Sequence, residues 1–382
     1  MNIPAEFDEI RPYSPEELPA VFEELLADEQ FMQVALTMLG GMSKEQFKAA
    51  LSTCVTNLDV QKTFFYPMLK QLLSRCSTGC DMNAEALADK NLQYTFISNH
   101  RDIVLDSAFL SMLLVDNGFP TTVEIAIGDN LLIYPWIKKL VRINKSFIVQ
   151  RSLSMREMLA SSMRMSKYMH FAITQKGENI WIAQREGRAK DSNDRTQESV
   201  LKMMAMGGEG SMVDRLAELR IVPLAISYEY DPCDYLKAKE FQQKRDNPEF
   251  KKSRQDDLQN MQTGIFGYKG RVHYHAAPCI NEWLHELSEM PKTEFFGEVA
   301  RRIDREIHRA YQLYPCNYIA ADLLENVNQR TDHYTAEDLA KFEKYLAERI
   351  AMVDLENKDE AFLRESILRM YANPLFNQQA AV

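Results

Sequence analysis

Apolar and polar positions change rhythm twice along this chain. Up to about residue 90, apolar residues recur every three or four positions, as at Leu18, Val21, Phe22 and Leu25 and again at Phe47, Leu51 and Val55. That spacing predicts amphipathic helices. Ser14, Pro15 and Glu17 give a start signal for the first, Gly40-Gly41 a stop, and Ser43 with Gln46 a second start. From about residue 91, short β-rich runs at 94–98, 123–127, 147–150, 179–183, 221–228 and 271–276 alternate with helical stretches such as 106–115 and 155–176. Strands alternating with helices predict an α/β fold: a mixed, mostly parallel sheet flanked by helices, with a helical N-terminal region and a helical C-terminal extension. The highly charged stretch 237–262 reads as a helical excursion on the surface. Beyond about 330 the helical period returns, with Thr335 and Asp338 as a start signal and Leu339, Phe342, Leu346 and Ile350 as a stripe. The expected divisions are 1–90, 91–325 and 326–382.

Charge and composition narrow the classes. The 382 residues carry a net charge of −10, which argues against a general nucleic-acid binder. No apolar run approaches the roughly 20 residues that span a bilayer. The first residues show neither a basic nor an apolar leader segment, so a cytoplasmic chain, peripheral on the inner membrane face, is the expectation. Six scattered cysteines read as reduced thiols. Cys76 and Cys80 read as an i,i+4 helical pair rather than a zinc site, and no metal is expected. Of the twenty methionines, Met155, Met158, Met163, Met165 and Met169 fall in one helical stretch, where core packing is the simpler reading.

The candidate chemistry lies just past the predicted strands, where α/β sheets gather their sites. Asn99-His100 ends the run 94–98, and Asp106 follows six residues after the histidine. A histidine there is a usable base near neutral pH, and a carboxylate can fix its tautomer. The competing reading makes Asp102 or Asp106 a helix cap or first-turn acid. Arg151 ends the apolar run 147–150 and suits an anion or a surface ion pair. Glu186, Gly187, Arg188 and Lys190, with Arg185 just before them, follow the run 179–183; three cations beside a glycine suit a phosphate dianion. Pro223 inside an apolar run predicts an edge strand, a strand start or a bulge. His273 and His275 alternate on a strand and read as packing or hydrogen-bonding residues rather than metal ligands. Segment 131–145 mixes apolar residues with Lys138, Lys139, Arg142 and Lys145. It reads as an amphipathic helix packed on the sheet that also offers a peripheral membrane contact.

The ordered set resembles the glycerolipid acyltransferases, meaning the glycerol-3-phosphate and 1-acylglycerol-3-phosphate enzymes. Asn99-His100 with Asp106 matches their first block, the run ending in Arg151 their second, Glu186-Gly187-Arg188 their third and the run through Pro223 their fourth, over about residues 91–230. The resemblance implies transfer of an acyl group from coenzyme A or an acyl carrier protein to a hydroxyl of a small phosphorylated or lipid acceptor. His100 and Asp106 would be catalytic, and Arg151, Arg188 and Lys190, with Glu186 and Gly187, would bind phosphate. No cofactor beyond the donor substrate is implied. Three departures stand out. The His-to-Asp gap holds five residues, not four, so either Asp106 reaches His100 through a bulge or Asp102 takes part. Lys145 stands near where the second block opens with glycine. Arg188 directly follows Gly187, one place early. These departures leave open an acyltransferase for an acylated amino-acid lipid, an acyl-thioester hydrolase, and a non-catalytic acyl-carrier or lipid-binding protein on the same scaffold.

Overall fold

A computed structural model describes residues 3–132, 134–150 and 154–382. Among the described residues, seven strands form one sheet: β1 (Gly79–Asn83), β2 (Thr95–Ser98), β3 (Val123–Gly128), β4 (Ser146–Val149), β5 (Asn179–Ala183), β6 (Ile221–Tyr228) and β7 (Arg271–Ala276), in the spatial order β1-β7-β6-β2-β5-β3-β4. All pairings are parallel except β6 with β7. The sheet is therefore mixed and mostly parallel, as the alternation of strands and helices predicts. Parallel strands need both faces covered, and β6 is accordingly buried along all eight residues. Successive side chains serve opposite faces: Ile97, Ile180 and Ile182 enter one apolar core, Phe96 and Trp181 the other.

The principal helices are α1 (Leu18–Ala27), α2 (Glu29–Met38), α3 (Lys44–Ser52), α4 (Tyr66–Cys76), α5 (Leu105–Asp116), α6 (Pro135–Ile143), α7 (Met155–Phe171), α8 (Asp234–Asp246), α9 (Arg254–Phe266), α10 (Lys292–Arg309), α11 (Pro315–Glu325), α12 (Ala336–Ala351) and α13 (Glu360–Ala381). Helices α3 and α12 begin with the capping boxes expected from Ser43–Gln46 and Thr335–Asp338. The signal at Ser14 builds a turn that closes on Glu17, and α1 starts one residue later. Val55 lies beyond α3 and is exposed.

Several expectations need correction. The sheet begins at Gly79, before residue 91, because β1 is an edge strand of mixed polarity with no apolar alternation. Helix α4 stops at Cys76 and Cys80 lies in β1, so the two cysteines do not share a helix. Pro223 sits in an interior strand. The β7 ladder begins only at Leu224, and the Pro223 carbonyl on that side accepts from Ala277 at 2.9 Å, so the missing N–H falls just past the ladder's end. Helix α6 packs largely against the N-terminal helices, where Trp136 and Leu140 join the core of α1–α3. Helix α7 buries Met165 and Met169 but leaves Met158 and Met163 exposed. The charged excursion is not superficial: α8 buries Asp234, Lys237 and Glu240, each matched by an opposite charge on Arg349, Asp231 or nearby lysines. Among the described residues no helix is long and apolar enough to cross a membrane.

Lys145 adopts φ 60°, the left-handed region that glycine enters freely. Its buried ammonium is held by Glu178 at 2.6 Å and Thr121 at 2.8 Å. The backbone thus explains a glycine preference at this place, and the ion pair explains how lysine occupies it.

Candidate active site

Strands β2, β5 and β6 are immediate neighbours and run the same way, so the loops after them leave from one stretch of the sheet edge. After β2, the Asn99 amide donates to the Ile226 carbonyl and accepts from the Ile226 N–H, both at 2.8 Å. This bidentate clasp pins the turn to β6. The His100 ring comes next, packed edge-on against Trp181 with centroids 5.6 Å apart.

His100 Nδ1 lies 2.7 Å from Asp106 Oδ2. The same oxygen accepts the backbone N–H groups of Arg101 at 2.7 Å and Asp102 at 3.1 Å, and Tyr228 reaches the other oxygen at 3.3 Å. Asp106 is fully buried in the first turn of α5, where the helix dipole favours an acid. A carboxylate so surrounded by donors takes Nδ1–H from the imidazole and leaves Nε2 for other chemistry.

Of the two acids, Asp106 is therefore the partner of His100. Asp102 instead accepts Val104 and Leu105 N–H at 2.8 Å each and caps α5. Burial pushes the Asp102 carboxyl upward, the charge of Asp106 adds to the rise, and the two N–H groups and Arg188 oppose it. The fifth intervening residue is absorbed before α5 starts at Leu105, in a turn that needs no helical register.

The third block follows β5. Gly187 has φ 68°, which accounts for glycine there. Arg188 is half-buried; one terminal nitrogen makes a long bond to Asn260 of α9 at 3.4 Å, and Nη1 is buried without a hydrogen-bond partner. Arg185 Nε is buried in the same condition. Lys190 is ion-paired with Glu240 of α8, which also holds Lys244 and Lys252 at 2.9 Å each. Burial pushes the Lys190 ammonium down, against the pull of Glu240. Glu186 is exposed, and its backbone N–H donates to Gln197 at 2.8 Å. Arg151 lies outside the described residues.

Two contributors are invisible in local sequence. The Arg101 guanidinium, buried, is bound by Ser192 and by Asp194, which is fully buried. Asp194 lies over ninety residues away in the chain, so no spacing could have announced the pair. Two hollows lie elsewhere. One of about 340 Å³ between the end of β6 and helices α11 and α12 is lined by Tyr230, Tyr268 and Tyr345, and one of about 540 Å³ runs along α7; His100 lines neither. His273 pairs with Asp81, and no group of three His, Cys, Asp or Glu among the described residues is disposed to hold a metal.

A family model described as acyltransferase matches residues 82–227, a span that holds the His100–Asp106 pair, Arg188 and the clasp on β6. Among solved structures, the chain is similar to the crystal structure of the 1-acyl-sn-glycerophosphate (LPA) acyltransferase PlsC from Thermotoga maritima. Identity is 12%, the TM-score is 0.38, and the match covers 75% of this chain and 92% of that one. No curated protein matches the sequence. The acyltransferase model thus covers residues 82–227 of the 382, the stretch that carries the resemblance to the glycerolipid enzymes.

Proposed function

We propose that this protein is a thioester-dependent O-acyltransferase, and that the contact of His100 Nδ1 with Asp106 at 2.7 Å is the observation that carries the reading. The acceptor hydroxyl gives its proton to His100 Nε2. The freed oxygen attacks the thioester carbonyl of acyl-coenzyme A or an acyl carrier protein. A tetrahedral adduct forms, the C–S bond breaks, and the thiolate takes the proton back from the imidazolium. Asp106 holds the ring and stabilises its charged state. General-base assistance of this kind is worth about 10²–10⁴ in rate, roughly 3–5 kcal/mol of barrier. Arg188, with a buried nitrogen free to donate to an anion oxygen, binds the acceptor's phosphate, assisted by Lys190 and Arg151. The donor is a substrate, and the reading needs no resident cofactor. Contact with a membrane surface through 131–145 belongs to the same reading, supported by the exposure of Tyr134 and Lys138.

The pairing of Lys190 with Glu240 favours a second reading, in which the acceptor hydroxyl belongs to an acylated amino-acid lipid with no phosphate dianion. One experiment separates the two. With a fixed acyl thioester, thiol release is followed while glycerol 3-phosphate, its monoacyl form and acylated amino acids are supplied in turn. Release that depends on a phosphorylated acceptor supports the first reading. Dependence on the amino-acid lipid alone supports the second. Release indifferent to every acceptor makes the protein a hydrolase and rejects both.

A further inference from the structure

The loop 189–196 joins Arg188 to the partners of Arg101, and it is gripped from behind by two helices remote in sequence. From α10, Asp304 accepts the Thr196 N–H at 2.8 Å and its hydroxyl at 2.6 Å, and His308 stands 3.2 Å from the Asp194 carbonyl. From the C-terminal helix α13, Asn373 donates to the Asp191 carbonyl at 2.7 Å, and the Asn377 oxygen accepts from Arg195 at 2.8 Å. Residues 304 and 308, like 373 and 377, are four apart, so each pair presents one helical face to the loop. On the inner side the loop offers Ser192 and Asp194 to Arg101, the residue after His100. The Tyr371 hydroxyl also accepts from the Asp231 N–H at 3.0 Å, and Met370, Tyr371 and Pro374 line a small hollow with Arg101 and Ser192.

We infer that α13 is a working part of the acyl-transfer site: Asn373 and Asn377 are positioning residues that hold the loop 191–196 in place and so fix Arg188 at one end and the Arg101–His100 turn at the other. The inference rests on the acyltransferase reading above. The two asparagines serve in opposite senses. Asn373 must donate, because its partner is a carbonyl. Asn377 must accept, because its partner is a guanidinium; its own Nδ2 is buried without a partner, so a carboxylate there removes an unsatisfied donor. Displacement of a catalytic group by about 1 Å is enough to cost on the order of 10²-fold in rate.

The test uses the full-length protein with N373A, N373D, N377A and N377D, following acceptor-dependent thiol release, thermal midpoint, and amide hydrogen exchange over 191–196. The expected result is a loss of about 10- to 100-fold in kcat/KM for N373A, N373D and N377A, with a raised acceptor KM and faster exchange in the loop. N377D is expected to restore activity, with all midpoints near wild type. A merely structural role would reduce the amount of active protein without moving the acceptor KM. N373D as active as wild type, or N377D as impaired as N377A, overturns the inference. A wild-type protein that transfers to no acceptor overturns the acyltransferase reading instead, whatever the exchange shows.

Discussion

His100 and Asp106 meet at 2.7 Å across five intervening residues, one more than the family pattern supplies. The pair forms because the added residue lies in the turn before α5, and Asp106 still falls in the first turn of the helix. Removing the imidazole should abolish transfer while the fold survives. His100→Ala is expected to lose about 10²–10⁴ in kcat with an unchanged circular dichroism spectrum. Asp106→Asn turns an amide toward Nδ1, favours the wrong tautomer and should lose a comparable factor. Near-wild-type turnover by either variant would remove the general-base assignment.

Arg188 brings a buried, unpartnered nitrogen to the site. Hydrogen bonds to charged groups contribute about 1.5–3 kcal/mol. Arg188→Ala should therefore raise the acceptor KM by roughly 10- to 100-fold, with the donor KM unmoved. Steady-state kinetics with each substrate varied in turn checks this, and an unmoved acceptor KM rejects the phosphate role.

Lys145 has left-handed backbone strain and a buried ion pair in one residue. Lys145→Ala loses the ion pair and keeps the strain. Lys145→Gly loses the same pair but is freed of the strain. The glycine variant should be more stable than the alanine variant by about 1 kcal/mol, a difference read from urea unfolding.

Gly264 of α9 sits where a Cβ would come 2.1 Å from Asp102 Oδ2, a buried carboxylate engaged in capping α5. Gly264→Ala must push α9 away from the His100 turn. A loss of about 1–3 kcal/mol in stability is expected, together with lowered kcat. An alanine variant with unaltered unfolding would contradict this packing.

His308 is held at a pKa of about 4, first by burial and then by the charge of Arg195. Arg195 donates to His308 Nδ1 at 3.0 Å, which leaves Nε2–H to donate to the Asp194 carbonyl. The folded value is below the unfolded value of about 6.5, so the unfolded chain binds the proton more readily. Stability from this residue is full above about pH 6.5 and is lost as pH falls toward 4, by as much as about 3 kcal/mol. His308→Asn should flatten that part of the stability–pH curve; an unchanged slope between pH 6.5 and 4 would show that the residue does not titrate as assigned.

The legible parts of the fold were those whose signal is local. Strands β5 and β6 stand where their apolar runs predict, because strands buried on both faces are made of such runs, and β7 where its alternation of polar and apolar residues predicts. Strand β1 was not legible: its sequence, Gly-Cys-Asp-Met-Asn, is shaped by an edge position that only the assembled sheet creates. The charged face of α8 read as solvated because its partners, Asp231, Lys252 and Arg349, belong to other elements. In the site, His100 and Arg188 were legible from strand ends and block order. Block order pointed to Asp106 with Asp102 as the alternative, and the contact at 2.7 Å decides for Asp106, because the outcome depends on which carboxylate the turn aims inward. Arg101 with Asp194, and the asparagines of α13, were out of reach for the same reason: each is defined by a contact across the chain.

The clasp of Asn99 on Ile226 has a consequence for how the reaction can be timed. It bolts the turn that carries the base to a strand buried along its whole length, and Asp106 holds the ring, so the imidazole stays in place rather than swinging out to collect a proton. Approach and alignment must then come from the reactants and from the outer walls. A chain that keeps this clasp while exchanging the α8–α9 segment can be expected to retain its chemistry and alter its choice of alcohol.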